Sequence, residues 1–521
     1  MREQCGLRRG RPAEDARPEP HETDFQDVTA CGNMLALRIA EEPPPVSHRA
    51  NWIRIGCLLL AAPLLAATAA AQTVTPEQQA FRDIYRELVE INTTDSVGDT
   101  LRAAEAMAAR LKAAGFPAAD MQIFSTGPRK GNLVARLRGS GARKPMLLIA
   151  HLDVVEARRE DWAFDPFRLQ EVDGYFRGRG SIDDKAMASI FVANLIEYHA
   201  QGLRPDRDII LALTSDEELS DSPHDGAHWL VDHHRELIDA EFAINEGGPG
   251  TLRDGKPFRL AVQHAEKVYQ TFILEVTDRG GHSASGRRDN GIYRLADALA
   301  RLGRFDFPIR LNAITRAFFE RALAVETPAN ADAIKAMLAG ATDDAAAMMP
   351  LTTRPDYNAI IRTTCVATRL EAGHAENALP QTARATVNCR ILPDQDVAEV
   401  ARTLARVIAD EQVKVISKGQ AVLSPPSPIN AELMHAVETL AGEMWPGVPV
   451  IPTMSSGYTD SRWLRNAGIP AYGVSGLFID PANSGTHGLN EQVGVNELYQ
   501  SKAFLYRLVR MLAAPSQASA R

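Results

Sequence analysis

Ionisable side chains recur at the ends of apolar runs in this chain, where a cation could gather them. His151 directly follows Met146–Ala150, and Asp153 stands two residues on. Asp183-Asp184 come after the glycine turn Gly178-Arg179-Gly180. Glu217-Glu218, with Asp216 before them, follow Asp208–Leu213, and Glu246 follows Glu241–Asn245. Carboxylates delivered to one place repel unless they hold protons or share a cation. One imidazole with several carboxylates suits zinc or another divalent ion, and not a copper or iron–sulfur site. A lone His or Asp after a strand is usually a helix cap. Four such signals are harder to explain that way, because the adjacent Glu217-Glu218 would cost free energy beside a buried strand if left unpaired.

The elements that would position these residues follow from periodicity. Thr75-Pro76-Glu77-Gln78 is a helix start with Thr as N-cap, Pro at N1 and Gln at N3. Phe81, Ile84, Tyr85, Leu88 and Val89 continue it at helical spacing. A second helix runs over Leu101, Met107 and Leu111 and stops at Gly115. Short apolar strands at Asn132–Leu137, Met146–Ala150, Asp208–Leu213 and Glu241–Asn245 then alternate with helical stretches near 184–199 and 226–236. That alternation predicts an α/β fold with a mostly parallel, doubly wound sheet. Ligands bind such sheets at the carboxyl edge of the strands, which is where the acidic groups fall.

After Ala261 the pattern changes. A strand at Val268–Thr277, a helix near 290–303, a helical segment at about 312–349 and strands at Ala359–Leu370 and Ala383–Leu392 read as an inserted α+β domain. The expected division is a catalytic domain in two parts, 72–261 and 393–521, interrupted by 262–392.

The N-terminal residues read differently. Asn51-Trp52-Ile53-Arg54, the apolar run Ile55–Ala67 and Ala69-Ala70-Ala71 form the three parts of a secretory signal peptide at 51–71, cleaved near Ala71. The run is short of the roughly 20 residues needed to span a bilayer, and Pro63 interrupts it. Stable membrane insertion is therefore not expected, and a periplasmic or secreted location is. Residues 1–50 lack periodicity and read as an extension from an upstream start assignment. The net charge of −9, with no Lys/Arg-rich stripe, excludes a nucleic-acid footprint. Beyond Ala71 only Cys365 and Cys389 remain, too few for a disulfide scaffold or a thiolate zinc site. They lie almost symmetrically about the turn near Asn377, and either a disulfide or two buried thiols fits.

Several blocks resemble a known family. His151-Leu152-Asp153-Val154-Val155, Gly178 to Lys185, Thr214 to Glu218, Asn245-Glu246-Gly247-Gly248, Gly281-His282-Ser283, Asn377 to Pro380, Cys389-Arg390, Gly457 to Asp460 and His487 to Glu491 stand in the order of the di-zinc peptidases. That family contains glutamate carboxypeptidase, carnosine dipeptidase, aminoacylase, acetylornithine deacetylase and succinyl-diaminopimelate desuccinylase. The resemblance implies two zinc ions, with cobalt or manganese as alternatives. Asp183 would bridge them, His151 and Glu246 would complete one site, and Glu218 and His487 the other. Glu217 would be the general base and Asp153 would orient His151. The inserted segment would be a ferredoxin-like lid that also forms a homodimer. His282 would be the lid histidine that stabilises the oxyanion, and Arg390 and Asn377 would bind substrate. One departure is Ala186, where the family usually has Gly.

The implied activity is hydrolysis of an amide bond in a small peptide by a carboxypeptidase or dipeptidase. The alternatives are a deacylase of N-acyl amino acids using the same site, and a relative that binds without catalysis. The intact Glu217 and ligand positions argue against the last.

Overall fold

The computed structural model describes residues 74–219 and 222–514. The expected signal peptide and the 1–50 extension lie outside the described residues. The main sheet has ten strands, and its middle is parallel: Ile209–Thr214, Met146–His151, Phe242–Asn245 and Ala471–Gly473 are neighbours in that order. An antiparallel pair, Met121–Gly127 and Lys130–Leu137, extends one side. Lys256–Glu266, Gly250–Arg253 and Phe478–Ile479 extend the other, and Val450–Ser455 pairs parallel with Lys256–Glu266. The mostly parallel α/β sheet is as expected.

Period-two alternation explains how both faces are covered. Leu148, Ala150, Leu211 and Leu213 pack into one core with helices Pro76–Glu90, Thr100–Ala113, Lys185–Ala200, Ala431–Met444 and Val495–Ala513. Leu147, Ile149, Ile210 and Ala212 point to the other face, against Ala227, Leu230 and Leu464. Each buried Leu or Ile there contributes about 1.5–3 kcal/mol relative to exposure. The first helix begins as its sequence predicts: Thr75 and Gln78 form a capping box.

A second, four-stranded antiparallel sheet has the order Thr364–Ala372, Thr382–Ile391, Val268–Thr277, Val413–Lys418. Helices Gly291–Leu302 and Val397–Ile408 cover it through Leu295, Leu302, Val400 and Leu404. This is the ferredoxin-like β-α-β-β-α-β arrangement. It corrects the boundary expected at 392. The helix Val397–Ile408 and the strand Val413–Lys418 complete the second sheet, because that sheet's central strand needs a partner on its other edge. The stretch expected as one long helical segment is four helices, Ala313–Ala322, Pro328–Leu338, Ala345–Thr352 and Pro355–Ile361. These pack with Ala265, Ile451 and Met454 of the main sheet, not on the four-stranded layer. Cys365 and Cys389 are directly paired residues on adjacent strands and form a disulfide.

Candidate metal and catalytic site

Parallel strands carry their carboxyl ends to a common edge, so residues far apart in sequence meet there. His151 is the last residue of its strand, Glu217 and Glu218 follow Thr214, and Glu246 follows Asn245. Asp183 stands just before helix Lys185–Ala200, after a turn in which Gly180 has φ 78°. A Cβ at Gly180 would lie 2.8 Å from Val154 Cγ1, so this turn requires glycine. His487 arrives from a loop near the C-terminus.

The five expected ligands converge. Asp183 faces two imidazoles with different oxygens: Oδ1 is 3.0 Å from His151 Nε2 and Oδ2 is 3.0 Å from His487 Nε2. Glu246 Oε1 lies 3.8 Å from His151 Nε2, and Glu218 Oε1 lies 2.9 Å from His487 Nε2. Two donor sets therefore share one aspartate. Potential ligand atoms of His151, Glu217 and Glu246 lie within 4.8 Å of one another, as do those of His151, Asp183 and Glu218.

The electrostatics show what this arrangement lacks without a cation. Burial works against charge on His151, yet Glu246, Asp153 and Asp183 hold its pKa well above the ordinary value. Hydrogen bonds to Asp183 and Glu218 push His487 up to about 10. Burial, then Glu246, raises Glu217 well above the carboxylate range, and burial does the same to Glu246. Without a cation the cluster thus holds protons on oxygens and nitrogens whose lone pairs a metal would otherwise take. Glu217 Oε1 is buried with no hydrogen-bond partner among the described residues. A set of two imidazoles and carboxylate oxygens with no thiolate fits zinc, cobalt or manganese.

Asp153 is expected to orient His151. Its carboxylate also accepts the backbone N–H groups of Glu217, at 3.2 Å, and Glu218, at 3.0 Å. His151 Nδ1 lies 3.0 Å from the Asp153 backbone oxygen and 3.6 Å from its carboxylate. Asp216, at φ 61°, makes the turn that aims the glutamates, with its carboxylate held by Lys130 and Ser222.

Two supporting groups were missed as site residues. Fully buried Glu491 accepts from the backbone of Gly180 at 2.9 Å, Ile182 at 2.6 Å and Asp183 at 3.2 Å, and from Arg179 Nη1 at 2.7 Å. It anchors the loop that carries Asp183. Asp460 accepts from Thr214 Oγ1 at 2.7 Å, and burial beside Asp225 pushes its pKa up to about 8. Their signal in the sequence was only an acid at the end of a block.

The remaining predicted residues sit in the second sheet or beside it. Gly281–His282 pairs with Ala378–Leu379, and Ser283 N–H donates to the Asn377 backbone oxygen, so His282 and Asn377 are neighbours on an exposed ribbon. Among the described residues, no hydrogen bond or ion pair joins His282, Asn377 or Arg390 to the cluster. The Arg390 guanidinium lies 4.8 Å from the Tyr269 ring centre and 5.8 Å from that of Tyr458. Its Nη1 is buried without a partner among the described residues. Lys267, fully buried, donates to Thr364 Oγ1 at 3.2 Å. Burial and the Arg390 charge bring its pKa down to about 7. A small cavity of about 40 Å³ lies among Lys267, Tyr269, Tyr458 and Arg462. No signal singled out Lys267 in the sequence.

Residues 147–511 match the model of peptidase family M20/M25/M40. The chain belongs to this family. It is a metallohydrolase of amide bonds. The chain is 31% identical over 376 residues to the N-fatty-acyl-amino acid synthase/hydrolase PM20D1 of Xenopus tropicalis, covering 70% of this chain and 72% of that protein. It is 28% identical over 392 residues to the probable carboxypeptidase S-like 2 of Dictyostelium discoideum, covering 70% and 71%. The fold is similar to the M20 family metallo-carboxypeptidase Sso-CP2 from Sulfolobus solfataricus, with TM-score 0.63, 17% identity and coverage of 84% and 99%. It is also similar to human carnosine dipeptidase 1, with TM-score 0.60, 16% identity and coverage of 84% and 96%.

Proposed function

We propose that this M20-family chain is a zinc-dependent exopeptidase, of carboxypeptidase or dipeptidase type, that holds two metal ions. The observation that carries this is the shared Asp183, whose two oxygens each face a different imidazole. His151 and Glu246 would hold one ion with Asp183, and Glu218 and His487 the other. Bound there, the metal pair supplies a Lewis acid for the scissile carbonyl and lowers the pKa of the attacking water.

Glu217 takes the proton from that water and passes it to the leaving amine. Its unpartnered, buried Oε1 supports this role. Asp153 fixes the backbone of Glu217 and Glu218 and so aims the base. Arg390, joined by Lys267, receives the free carboxylate that makes the enzyme exo-acting. A buried ammonium at Lys267 beside a half-buried guanidinium at Arg390, with no acidic partner among the described residues, is costly unless an anion completes the site. His282 and Asn377 would act on substrate from the exposed ribbon.

A second reading, hydrolysis of N-acyl amino acids, uses the same groups, because that substrate also presents a carboxylate and an amide. The PM20D1 relatives favour it. A panel of dipeptides and N-acyl amino acids, offered to zinc-loaded protein, separates the two. Glu217→Gln is expected to lose at least about 100-fold in turnover with metal content unchanged. Full activity in that variant would remove Glu217 from the mechanism.

Two further proposals concern the whole protein. The disulfide and the signal-like segment support export with cleavage near Ala71, and a mature N-terminus elsewhere would overturn that site. Exposed Val366 and Leu370 on the edge strand Thr364–Ala372 support a dimer through the four-stranded layer. A monomer in sedimentation at micromolar concentration would refute it.

A further inference from the structure

A cavity of about 180 Å³ opens beside the ligand cluster. Asp183 and Glu246 stand at one part of its lining. Most of the remaining wall is apolar, built by Met187 and Ile190 of helix Lys185–Ala200 and by Leu477 and Ile479. Met187, Ile190 and Leu477 are nearly inaccessible, at 4%, 1% and 5% exposure, while Ile479 is half-buried. Protein interiors are close-packed, and a void forfeits the dispersion contacts of its lining. An unfilled apolar space that meets two metal-site carboxylates has the character of a ligand pocket. Its walls offer few partners to a polar or charged group, which would lose hydration on entry.

We propose that this cavity takes the aliphatic chain of an N-acyl amino acid, with the amide at the Asp183 and Glu246 end. This rests on the second reading above, hydrolysis of N-acyl amino acids, and names its acyl subsite. The Lys267–Arg390 pair would take the other end of the same substrate. It adjoins the base through Tyr458, whose ring centre lies 3.9 Å from the guanidinium of Arg462, which itself feels the charge of Glu217. An apolar cavity of roughly 150 Å³ accommodates benzene. The space here therefore suits about six to eight aliphatic carbons.

The test is an acyl-chain series on phenylalanine, from acetyl to dodecanoyl, with leucyl-phenylalanine as the peptide comparison. Each added methylene is worth about 0.8 kcal/mol, or roughly a four-fold rise in kcat/KM, until the cavity is full near eight carbons. Ile479→Trp, which narrows the cavity, should bring the octanoyl-to-acetyl ratio down to about five-fold from roughly 4,000-fold, the product of six methylene steps. Ile479→Asp, a smaller change that places charge in the lining, should do the same. Circular dichroism and metal content report folding of both variants. A flat chain-length profile with acetyl-phenylalanine still cleaved overturns the proposal, as does an undiminished ratio in both variants. Faster cleavage of leucyl-phenylalanine than of octanoyl-phenylalanine overturns it in favour of a peptide side-chain pocket. Calorimetry on metal-free protein separates the subsite from the chemistry. Octanoate should bind at least 100-fold more tightly than butyrate. If it does and no substrate is cleaved, the hydrolase reading fails and the pocket stands. If cleavage occurs without that difference, the pocket fails.

Discussion

Replacing Glu491 by Gln tests whether the Asp183 loop is held by one buried charge. The carboxylate receives four donors: Arg179 Nη1 and the Gly180 N–H on Oε2, and the N–H groups of Ile182 and Asp183 on Oε1. Gln is nearly isosteric, so no cavity forms. Whichever way the amide turns, its NH₂ must face two of these donors. The change also leaves Arg179, 2% exposed, without its anion, although it still donates to the Gly488 oxygen and lies over Trp162. Breaking a buried pair by removing one partner costs about 3–5 kcal/mol. Metal affinity should fall about 10–100-fold, the usual effect of losing a group that orients a ligand. Urea unfolding and competition with a metal-binding dye measure the two effects. The exposed Glu399→Gln serves as a control expected within about 0.5 kcal/mol of wild type. A stability loss below about 1 kcal/mol with unchanged metal affinity would refute the anchoring role of Glu491.

Metal addition to chelated protein at pH 7 should release protons, because His487, held near pKa 10 in the metal-free cluster, must lose one to become a ligand. Affinity should therefore rise with pH, and a pH-independent affinity without proton release would count against the cluster. Lys267 has a folded pKa near 7, below its value of 10.5 when unfolded. The folded state then binds fewer protons between those values, so this residue's penalty is full below about pH 7 and fades as pH rises to 10.5. Lys267→Met should accordingly stabilise the ligand-free protein at pH 6 by about 1–3 kcal/mol while raising KM for substrates with a free carboxylate at least ten-fold. Equal effects on carboxylate and carboxamide substrates would remove its proposed role. Reduction of Cys365–Cys389, separated by 24 residues, should cost about 3 kcal/mol and expose two thiols to titration only after reductant. Two titratable thiols in oxidised, unfolded protein would show that the bond does not form.

The chemistry was legible because most of the ligands sit at the boundary of a strongly apolar run. A strand such as Met146–Ala150 marks its own end, and parallel pairing sends every such end to one edge. His151, Glu217, Glu218 and Glu246 could therefore be placed together from sequence order alone. Asp183 was marked by the glycine turn before a helix, and His487 came from block resemblance, since its loop carries no periodic signal. The sequence also determined the main helices and the α+β character of the insertion, while its ferredoxin-like form came from the resemblance.

Tertiary structure decided the rest, because it depended on pairing between distant segments. Val413–Lys418 is a short, largely exposed strand whose membership in the second sheet is set only by its hydrogen bonds to Val268–Thr277. The sequence of 313–361 does not say which layer its helices cover, and only packing with Ile451 and Met454 assigns them to the main sheet. The roles of Glu491, Asp153 and Lys267 likewise depend on which donors or cations lie opposite them. Burial turns an ordinary charge into an anchor or a demand for a counter-ion, and burial is a property of the folded chain.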